Sequence, residues 1–454
     1  MKNSISSRMR TLGALALAGT LALTGCAAGA AGPGNGSASE QKYTEEDIQA
    51  ALKKPTTITY WQWTPGIEKQ AKLFQEKYPE ITVNVVNVGQ GPDEYAKLRT
   101  AIKAGKGAPD LAMIEYQFLD SFTVNGSLVD LTAFGAAESK DKYPEWLWSQ
   151  VDRGKGIYGF PSNAGPMANL YRKDIYDAAG VTTPPATWTE FADAAAKIRE
   201  TGSYIMTLPG NNAGQTIGYF WQAGAKPFGF DGDKTITVNL DSPEVQKVTD
   251  NFQDLLDKGL VDNSNDFTDS WFQGIANGKY ASWLTAAWGP VFLDSGTAAN
   301  TAGSWRVAPL PQWDASKPRS ANWGGNGTSI VKGSANPLVA YAFARFLNED
   351  PVSTKMLAFE QSQFPATIAQ QEAPDFASNT VPFFGDQEIN RVFLDSSAQI
   401  DTGFQWLPIM DFVFQSYNET YGKAIADGTN LRAGLTAWQK AIVEYATTQG
   451  FTVK

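Results

Sequence analysis

The chain has 454 residues, of which 43% are hydrophobic, 12% aromatic and 19% charged, a composition typical of a folded protein with two or three compact units. Its formal net charge of −10 disfavours nucleic acid and anionic ligands as partners. The absence of histidine and the single cysteine exclude Ser-His-Asp and Cys-His nucleophiles, disulfides and the usual zinc sites, which leaves carboxylate chemistry or binding without chemistry.

The N-terminal residues have the pattern of an export signal. Three basic residues precede an alanine- and leucine-rich run over residues 11–24, which is too short for a stable membrane span. The run ends in Leu-Thr-Gly-Cys, which resembles the bacterial lipobox, and Cys26 is the chain's only cysteine. We therefore expect residues 1–25 to be a lipoprotein signal peptide and Cys26 to carry acyl chains such as palmitate, which anchor the protein to the membrane.

Residues 26–42 are small, polar and rich in glycine, which indicates a flexible tether. No later apolar run is long enough to predict a transmembrane helix. Together with the signal, this pattern predicts a lipid-anchored protein on the extracellular face of the cytoplasmic membrane.

From residue 56 the hydrophobic pattern alternates between strands and helices. Residues 56–61 and 81–88 are β-branched and apolar, as in buried strands, and residues 67–78 between them place apolar side chains at helical spacing. A second helix and a third strand follow in the same way. Such alternation predicts a mostly parallel sheet covered by helices.

A second α/β unit is predicted further along the chain. Thr187 and Glu190 form a capping pair that opens a helix ending before Gly202. Asp231 and Gly232 lie between two strand-like runs, which is a hairpin signal.

Several segments together resemble the carbohydrate-binding proteins of ABC importers, the family 1 solute-binding proteins, which are similar in layout to maltose-binding proteins. These segments are TITYWQW, AKLFQEKYPEITVNVV, GAPDLAMIE, GIYGFPSNAGPMANLYRKDIYDAAG and NWGGNGTSIVKGSANPLVAYAFARFLN. The resemblance covers essentially the whole mature chain. It implies an α/β fold of the periplasmic-binding-protein-like type II, with two α/β lobes joined by hinge segments and a ligand cleft between them.

The resemblance also implies an organisation and a function. The N-terminal lobe would comprise residues 43–162 with 327–372, and the C-terminal lobe residues 163–326 with 373–454. The protein would be a monomer without cofactor, metal or catalytic activity. It would capture a neutral oligosaccharide and deliver it to the transmembrane subunits of an ABC permease.

In such folds ligands lie beyond the carboxyl ends of the strands, where a sugar needs aromatic faces and hydrogen-bonding amides or carboxylates. The chain has 14 tryptophans, several beside Asn, Gln or Gly. The family pattern implies the ligand contacts Trp61, Gln62, Trp63, Glu115, Tyr116, Gln117, Asn163, Tyr219, Trp221, Trp288, Trp323, Asn326 and Trp406. Core packing is the alternative role for each tryptophan. Val291 follows Gly289-Pro290 where the family often has tryptophan, so whether Trp288 supplies that platform stays open.

Two other functions stay open at this point. An exported glycoside hydrolase would use paired carboxylates across a scissile bond, and a receptor of the same fold could take another small solute. A calcium loop is disfavoured because Phe267 stands where such a loop needs glycine after Asp262, Ser264 and Asp266.

Overall fold

The computed structural model describes residues 42–294, 296 and 298–454. The predicted export signal, the predicted lipidation site Cys26 and all but the last residue of the tether lie outside the described residues. The strands of the described part, β1 to β11 in chain order, are Thr56–Trp61, Ile81–Val86, Leu111–Glu115, Phe160–Asn163, Met167–Arg172, Phe228–Phe230, Thr235–Val238, Ser282–Ala286, Trp305–Ala308, Asn326–Ile330 and Thr452–Val453.

Helices pack against the sheets. In the described part the α-helices, α1 to α19 in chain order, are Glu45–Ala51, Ile67–Lys77, Pro92–Ala104, Leu119–Thr123, Glu145–Trp148, Lys173–Ala178, Trp188–Glu200, Ala213–Gln222, Pro243–Asp257, Asp269–Ala276, Gly289–Asp294, Pro337–Glu349, Pro351–Glu360, Ile368–Gln371, Pro374–Ala377, Ile389–Ala398, Met410–Glu419, Tyr421–Ala426 and Leu431–Thr448. Short 3-10 helices are formed by Tyr116–Phe118, Leu131–Phe134, Ala136–Lys142, Ala299–Thr301 and Pro382–Phe384.

The largest sheet has the strand order β2-β1-β3-β10-β4. β1 pairs in parallel with β2 and β3, as the strand–helix alternation predicts, whereas β10 runs antiparallel to β3 and β4. Helices α2 and α12 pack against this sheet, and the ring of Phe343 contacts the rings of Tyr60 and Phe74 in the core. The carboxyl ends of β1, β3 and β4 therefore meet the amino end of β10 at one edge.

Two smaller sheets are formed by the strands β5 to β9 and β11. One has the order β8-β5-β9 with antiparallel pairing, and the other has the order β11-β7-β6. The predicted hairpin at Asp231-Gly232 is confirmed, because β6 and β7 pair antiparallel on either side of it. The predicted capping pair is also confirmed, since Thr187 and Glu190 form a reciprocal capping box at the start of α7.

Three chain segments cross between the five-stranded sheet and the β8-β5-β9 sheet. They are residues 163–167 between β4 and β5, residues 320–326 leading into β10, and residues 361–374 leading from α13 towards α16, which packs on β5 and β9. The segments hydrogen-bond to one another, because the Ala164 amide donates to the Phe364 carbonyl (3.0 Å) and the Trp323 amide donates to the Gly165 carbonyl (2.9 Å). A bundle of three crossings is a suitable place for a hinge.

Among residues that the structure describes, no helix combines the length and apolarity needed to span a bilayer.

Candidate ligand-binding cleft

A cavity of about 670 Å³ lies where the sheet edge meets the crossing segments. Seven of its lining residues carry side-chain amides: Gln90, Gln117, Asn163, Asn211, Asn212, Asn326 and Gln363. Eight carry aromatic rings: Trp63, Phe118, Phe267, Trp288, Phe292, Trp323, Trp406 and Phe414. Glu115 is the one ionisable side chain among the described lining residues. We call this cavity the cleft.

The amide side of the cleft is built by strand register. Asn326, at the amino end of β10, is paired with Glu115 at the end of β3 and with Asn163 at the end of β4. The Asn163 side chain accepts a hydrogen bond from the Asn326 amide (3.1 Å) and donates one to Gln363 Oε1 (2.9 Å). Asn326 Oδ1 is buried without a hydrogen-bond partner among the described residues, which leaves an acceptor for a ligand donor.

Glu115 is held in place from behind by Tyr95. The Tyr95 hydroxyl donates to Glu115 Oε2 (3.2 Å) and accepts from the Glu115 amide (2.9 Å). Burial raises the pKa of Glu115 to about 7 despite the hydrogen bonds from Tyr95 and Gln117. The carboxyl therefore changes charge near neutral pH, and around pH 7 the cleft carries at most one negative charge.

A second carboxyl lies close to Glu115. Glu94, in the first turn of α3, is fully buried, and both of its oxygens lack hydrogen-bond partners among the described residues. Burial, followed by the nearby Glu115 charge, raises the pKa of Glu94 to about 8. Glu94 is not among the residues that line the cleft.

The aromatic side of the cleft is built by side-chain packing. Trp288 and Trp323 meet edge to face with ring centroids 4.7 Å apart, and Trp288 Nε1 donates to the Trp323 carbonyl (2.9 Å). Phe267 and Phe292 extend this cluster, with ring centroids 5.7 Å apart, and both rings are partly exposed. These rings offer the flat apolar faces on which a ring-shaped ligand can pack.

The amino end of α8 contributes two further amides. Asn212 caps this helix by accepting from the Gln215 amide (3.1 Å), and its Nδ2 donates to Asp266 Oδ2 (2.7 Å). Asn211 bonds the Asp266 backbone in both directions. Burial raises the pKa of Asp266 to about 6. Asp266 thus fixes the loop that presents Phe267, whose φ of 55° is in the left-handed region.

Two consecutive glycines carry the chain from Trp323 to Asn326. Gly324 and Gly325 have φ values of 77° and 81°. A Cβ on Gly325 would lie 2.8 Å from Tyr116 Cε2 and 3.0 Å from the Asn163 carbonyl oxygen. Only glycine fits this position, so the turn sets the spacing between the aromatic and amide sides.

The structure brings eight of the thirteen sequence-predicted contacts to the cleft wall: Trp63, Glu115, Gln117, Asn163, Trp288, Trp323, Asn326 and Trp406. Contact of each with a ligand stays a prediction. The other five side chains do not line the cavity: Trp61, Gln62, Tyr116, Tyr219 and Trp221.

These five residues have structural surroundings instead. Trp61 is half-buried against the core, and Gln62 Oε1 accepts from the Thr64 amide (2.6 Å). The Tyr116 hydroxyl donates to the Asn163 carbonyl (2.7 Å), which braces the crossing from behind. Tyr219 and Trp221 lie in the core.

Trp221 shows why the sequence misplaces a tryptophan. Its ring stacks on Phe404 at 4.1 Å, and its Nε1 donates to the Asp401 carbonyl (3.2 Å). Both partners come from a segment about 180 residues further along the chain, so local sequence carries no sign of them. Tyr219 is likewise enclosed, with its ring against Trp188 and Phe252.

Sequence reasoning missed several lining residues. Asn212 had a local signal, because an asparagine before an apolar run is a typical helix cap. Phe267 and Phe292 had none, since each enters the cleft through the packing of its neighbours.

No cluster of three or more metal-ligating side chains occurs among the described residues. In the segment considered for calcium, Asp262 accepts from Lys279 (2.8 Å) and Tyr280 (2.7 Å), and Asp266 accepts from Asn212. Both carboxylates thus already accept hydrogen bonds from side-chain donors.

Taken together, the sheets, the crossing segments and the cleft define a two-lobe α/β ligand-binding protein. The model of the bacterial extracellular solute-binding protein family matches residues 60–353. The chain belongs to this family. The predicted fold class is confirmed by the structures to which the chain is similar.

One similar structure is the ABC transporter associated binding protein from B. animalis subsp. lactis in complex with β-1,6-galactobiose. It is 35% identical with a TM-score of 0.77, over 88% of this chain and 99% of that one. Another is the galacto-N-biose-/lacto-N-biose I-binding protein of the ABC transporter from Bifidobacterium longum, in complex with lacto-N-biose. It is 27% identical with a TM-score of 0.77, over the same shares. The arabinooligosaccharide-binding protein of Halalkalibacterium halodurans is 26% identical over 80% of this chain and 83% of its own.

Proposed function

We propose that this protein is the substrate-binding component of a carbohydrate ABC importer, which captures a neutral oligosaccharide in the cleft. The observation that carries the proposal is the composition of the cleft wall, with eight aromatic rings, seven side-chain amides and one ionisable group among the described residues. A pyranose has an apolar C–H face and a rim of hydroxyls, and these two kinds of side chain complement it. The sugars bound by the similar proteins support the same class of ligand.

The charge of the cleft favours a neutral ligand. No Lys, Arg or Asp occurs among its described lining residues, and Glu115 with its pKa raised to about 7 is partly protonated at neutral pH. An anionic sugar would find no counter-charge there, and a cation would find one carboxyl that is charged only in part. Amide groups bind hydroxyls as donors and as acceptors.

The number of carboxyl groups in the cleft distinguishes a binding protein from a hydrolase. A glycoside hydrolase of the usual kind needs two carboxyl groups flanking the bond to be cleaved. Glu115 is the one carboxyl among the described residues that line the cleft, and Glu94 is fully buried and does not line it. We therefore propose that the protein binds its ligand without cleaving it.

The partners follow from the proposed role. Closure of the two lobes about the three crossing segments would trap the sugar, and the closed form would dock on the transmembrane subunits of the permease. We propose that acylated Cys26 anchors the protein, as a monomer, to the extracellular face of the cytoplasmic membrane. The tether over residues 26–42 would let the folded part reach the permease.

Isothermal titration of the purified protein, kept in mild detergent, tests the proposal. The panel pairs a disaccharide with a trisaccharide in the gluco, galacto, manno, xylo and arabino series, and each mixture is checked afterwards by chromatography. We expect saturable binding in at least one series, with the ligand recovered intact. Cleaved ligand would favour the hydrolase instead. If no sugar of the panel binds, a receptor for another solute would be favoured.

A further inference from the structure

A second, smaller cavity of about 200 Å³ adjoins the cleft. Gln363 and Val291 line both cavities, so the two spaces adjoin at these residues. The smaller cavity lies between α11, the end of α13 and α16. We call it the annex.

The annex is a pocket that is partly open to solvent, with Asp294, Ser362 and Asn379 exposed in its lining. One water needs only about 10–15 Å³ of such space, so the annex has room for a ring-sized group. Phe359, Phe364 and Phe376 provide apolar faces, with ring centroids 6.2 Å apart between Phe359 and Phe376 and 5.8 Å between Phe364 and Phe376. Phe359 is 36% exposed as a residue, so part of this apolar surface is open to a ligand.

Polar groups accompany these rings. Asp294 and Asn379 line the annex as exposed side chains, and Ser362 joins them with a φ of 51°, in the left-handed region. Gln363 is held between the two cavities, because its Oε1 accepts from Asn163 and its Nε2 donates to the Gln361 carbonyl (3.2 Å). The annex thus repeats on a small scale the combination of aromatic faces and hydrogen-bonding groups that characterises the cleft.

We infer that the annex binds one further sugar unit of an oligosaccharide whose other units occupy the cleft, so that the protein prefers three or more units to two. This inference rests on the proposed function. Its single occupant is a neutral monosaccharide unit, with its C–H face on Phe359 and its hydroxyls on Asp294 and Asn379. The lining residues that the annex shares with the cleft, Gln363 and Val291, favour this occupant over a separate small molecule.

The test uses the ratio of dissociation constants for the disaccharide and the trisaccharide of each series in the panel above. The first variant, Ala358→Trp, places an indole in the annex from the buried side of α13. The second, Phe359→Ala, removes a partly exposed aromatic side chain and leaves the buried side chains of α13 unchanged. The matched control is Val352→Ala on the same helix, where the side chain is 60% exposed and lines neither cavity.

We expect the wild-type protein and Val352→Ala to bind the trisaccharide about tenfold more tightly than the disaccharide, which corresponds to about 1.4 kcal/mol. Ala358→Trp should bring the ratio close to one while the disaccharide affinity stays within about twofold of the wild-type value. Phe359→Ala should lower the ratio to about threefold and decides the test if Ala358→Trp does not fold.

The outcomes separate the two proposals. If the wild-type protein binds a disaccharide but gains nothing from the third unit, the annex inference is wrong and the proposed function stands. Variants that keep the wild-type ratio, or that weaken both lengths equally, would also overturn the annex inference. If no sugar of the panel binds, both proposals are wrong.

Discussion

The two sides of the cleft are fixed by different means. On the amide side, Asn163, Glu115 and Asn326 lie side by side because strand register places them there, and backbone hydrogen bonds hold that register. On the aromatic side, Trp288 and Trp323 depend on each other, since the Trp288 indole donates to the Trp323 carbonyl and their rings are in edge contact.

This difference predicts how each side responds to substitution. A change on the amide side removes hydrogen bonds but leaves the strands in place, so its effect should stay local. A change on the aromatic side removes a support of the neighbouring ring, so its effect should spread. The variants below probe that contrast, from the largest expected effect to the smallest.

The largest effect is expected from the carboxyl behind the amide side. In the unfolded chain Glu94 ionises near its ordinary pKa of 4.5, whereas burial keeps it protonated in the folded protein up to about pH 8. Between these values the folded state binds more protons, so stability is full below about pH 4.5 and falls as pH rises to about 8. In Glu94→Gln this loss should be absent, and the variant should gain about 3 kcal/mol over the wild-type protein between pH 5 and pH 8.

Urea unfolding at pH 5, 6.5 and 8 measures this difference. The control is Glu76→Gln, a substitution of a glutamate whose side chain is 60% exposed on α2, which should follow the wild-type curve. Parallel curves for wild type and Glu94→Gln would show that Glu94 is not protonated in the folded protein.

On the aromatic side, Trp288→Ala should lower the affinity for the sugar about a hundredfold, or about 2.7 kcal/mol. The reason is twofold, because the variant loses one face of the site and also the hydrogen bond that holds the Trp323 carbonyl. Titration calorimetry with the tightest-binding sugar of the panel measures this loss of affinity.

Trp313→Ala is the matched control for this prediction. Trp313 is also half-buried and stacks on Trp188 at 5.2 Å, but it does not line the cleft. It should lower the melting temperature and leave the affinity within about twofold. A Trp288→Ala protein that binds as well as this control would contradict the role assigned to the aromatic side.

On the amide side, Asn163→Leu should lower the affinity about tenfold, or about 1.4 kcal/mol. The variant keeps the side-chain volume but loses the bonds to the Asn326 amide and to Gln363. Asn348→Leu, which removes a buried amide bonded to the Ala344 carbonyl within α12, should reduce stability without reducing affinity. A loss as large as that of Trp288→Ala would mean that the amide side is not a local arrangement after all.

The contrast between the two sides also explains what the sequence could predict. The strand–helix alternation places Glu115 and Trp63 at strand ends, and the capping pair at Thr187 is a local signal. Neither prediction therefore needed knowledge of contacts with distant parts of the chain. Asn326 and Asn163 hydrogen-bond to each other although they lie 163 residues apart. The family resemblance named both as ligand contacts, but neither it nor the local pattern predicted that they pair.

Core tryptophans and cleft tryptophans look alike in sequence. Trp221 and Trp288 both lie beside small or amide residues, yet one stacks on Phe404 in the core and the other lines the cleft. Only the path of the distant segment that carries Phe404 separates them. The positions of Phe267 and of the annex residues also depend on packing between separate chain segments, so the sequence alone could not predict them.

The smallest effect is expected at Phe267, on the rim of the aromatic side. Its left-handed backbone is costly for a phenylalanine, and asparagine tolerates this region much better. Phe267→Asn loses ring contacts with Trp271, Phe272, Trp283, Trp288 and Phe292. The relief of strain should offset part of this loss, so the melting temperature should fall only slightly. The affinity should fall only about threefold, because the ring is 39% exposed and covers the edge of the site.

Asp386→Asn is the control for this rim position, since it has a φ of 57° and lies outside both cavities. It should alter neither stability nor affinity. If Phe267→Asn instead lost affinity thirtyfold or more, the strained loop held by Asp266 would be an anchor of the site rather than its rim. The aromatic side would then rely on backbone geometry as much as the amide side does, and the contrast between the two sides would no longer hold.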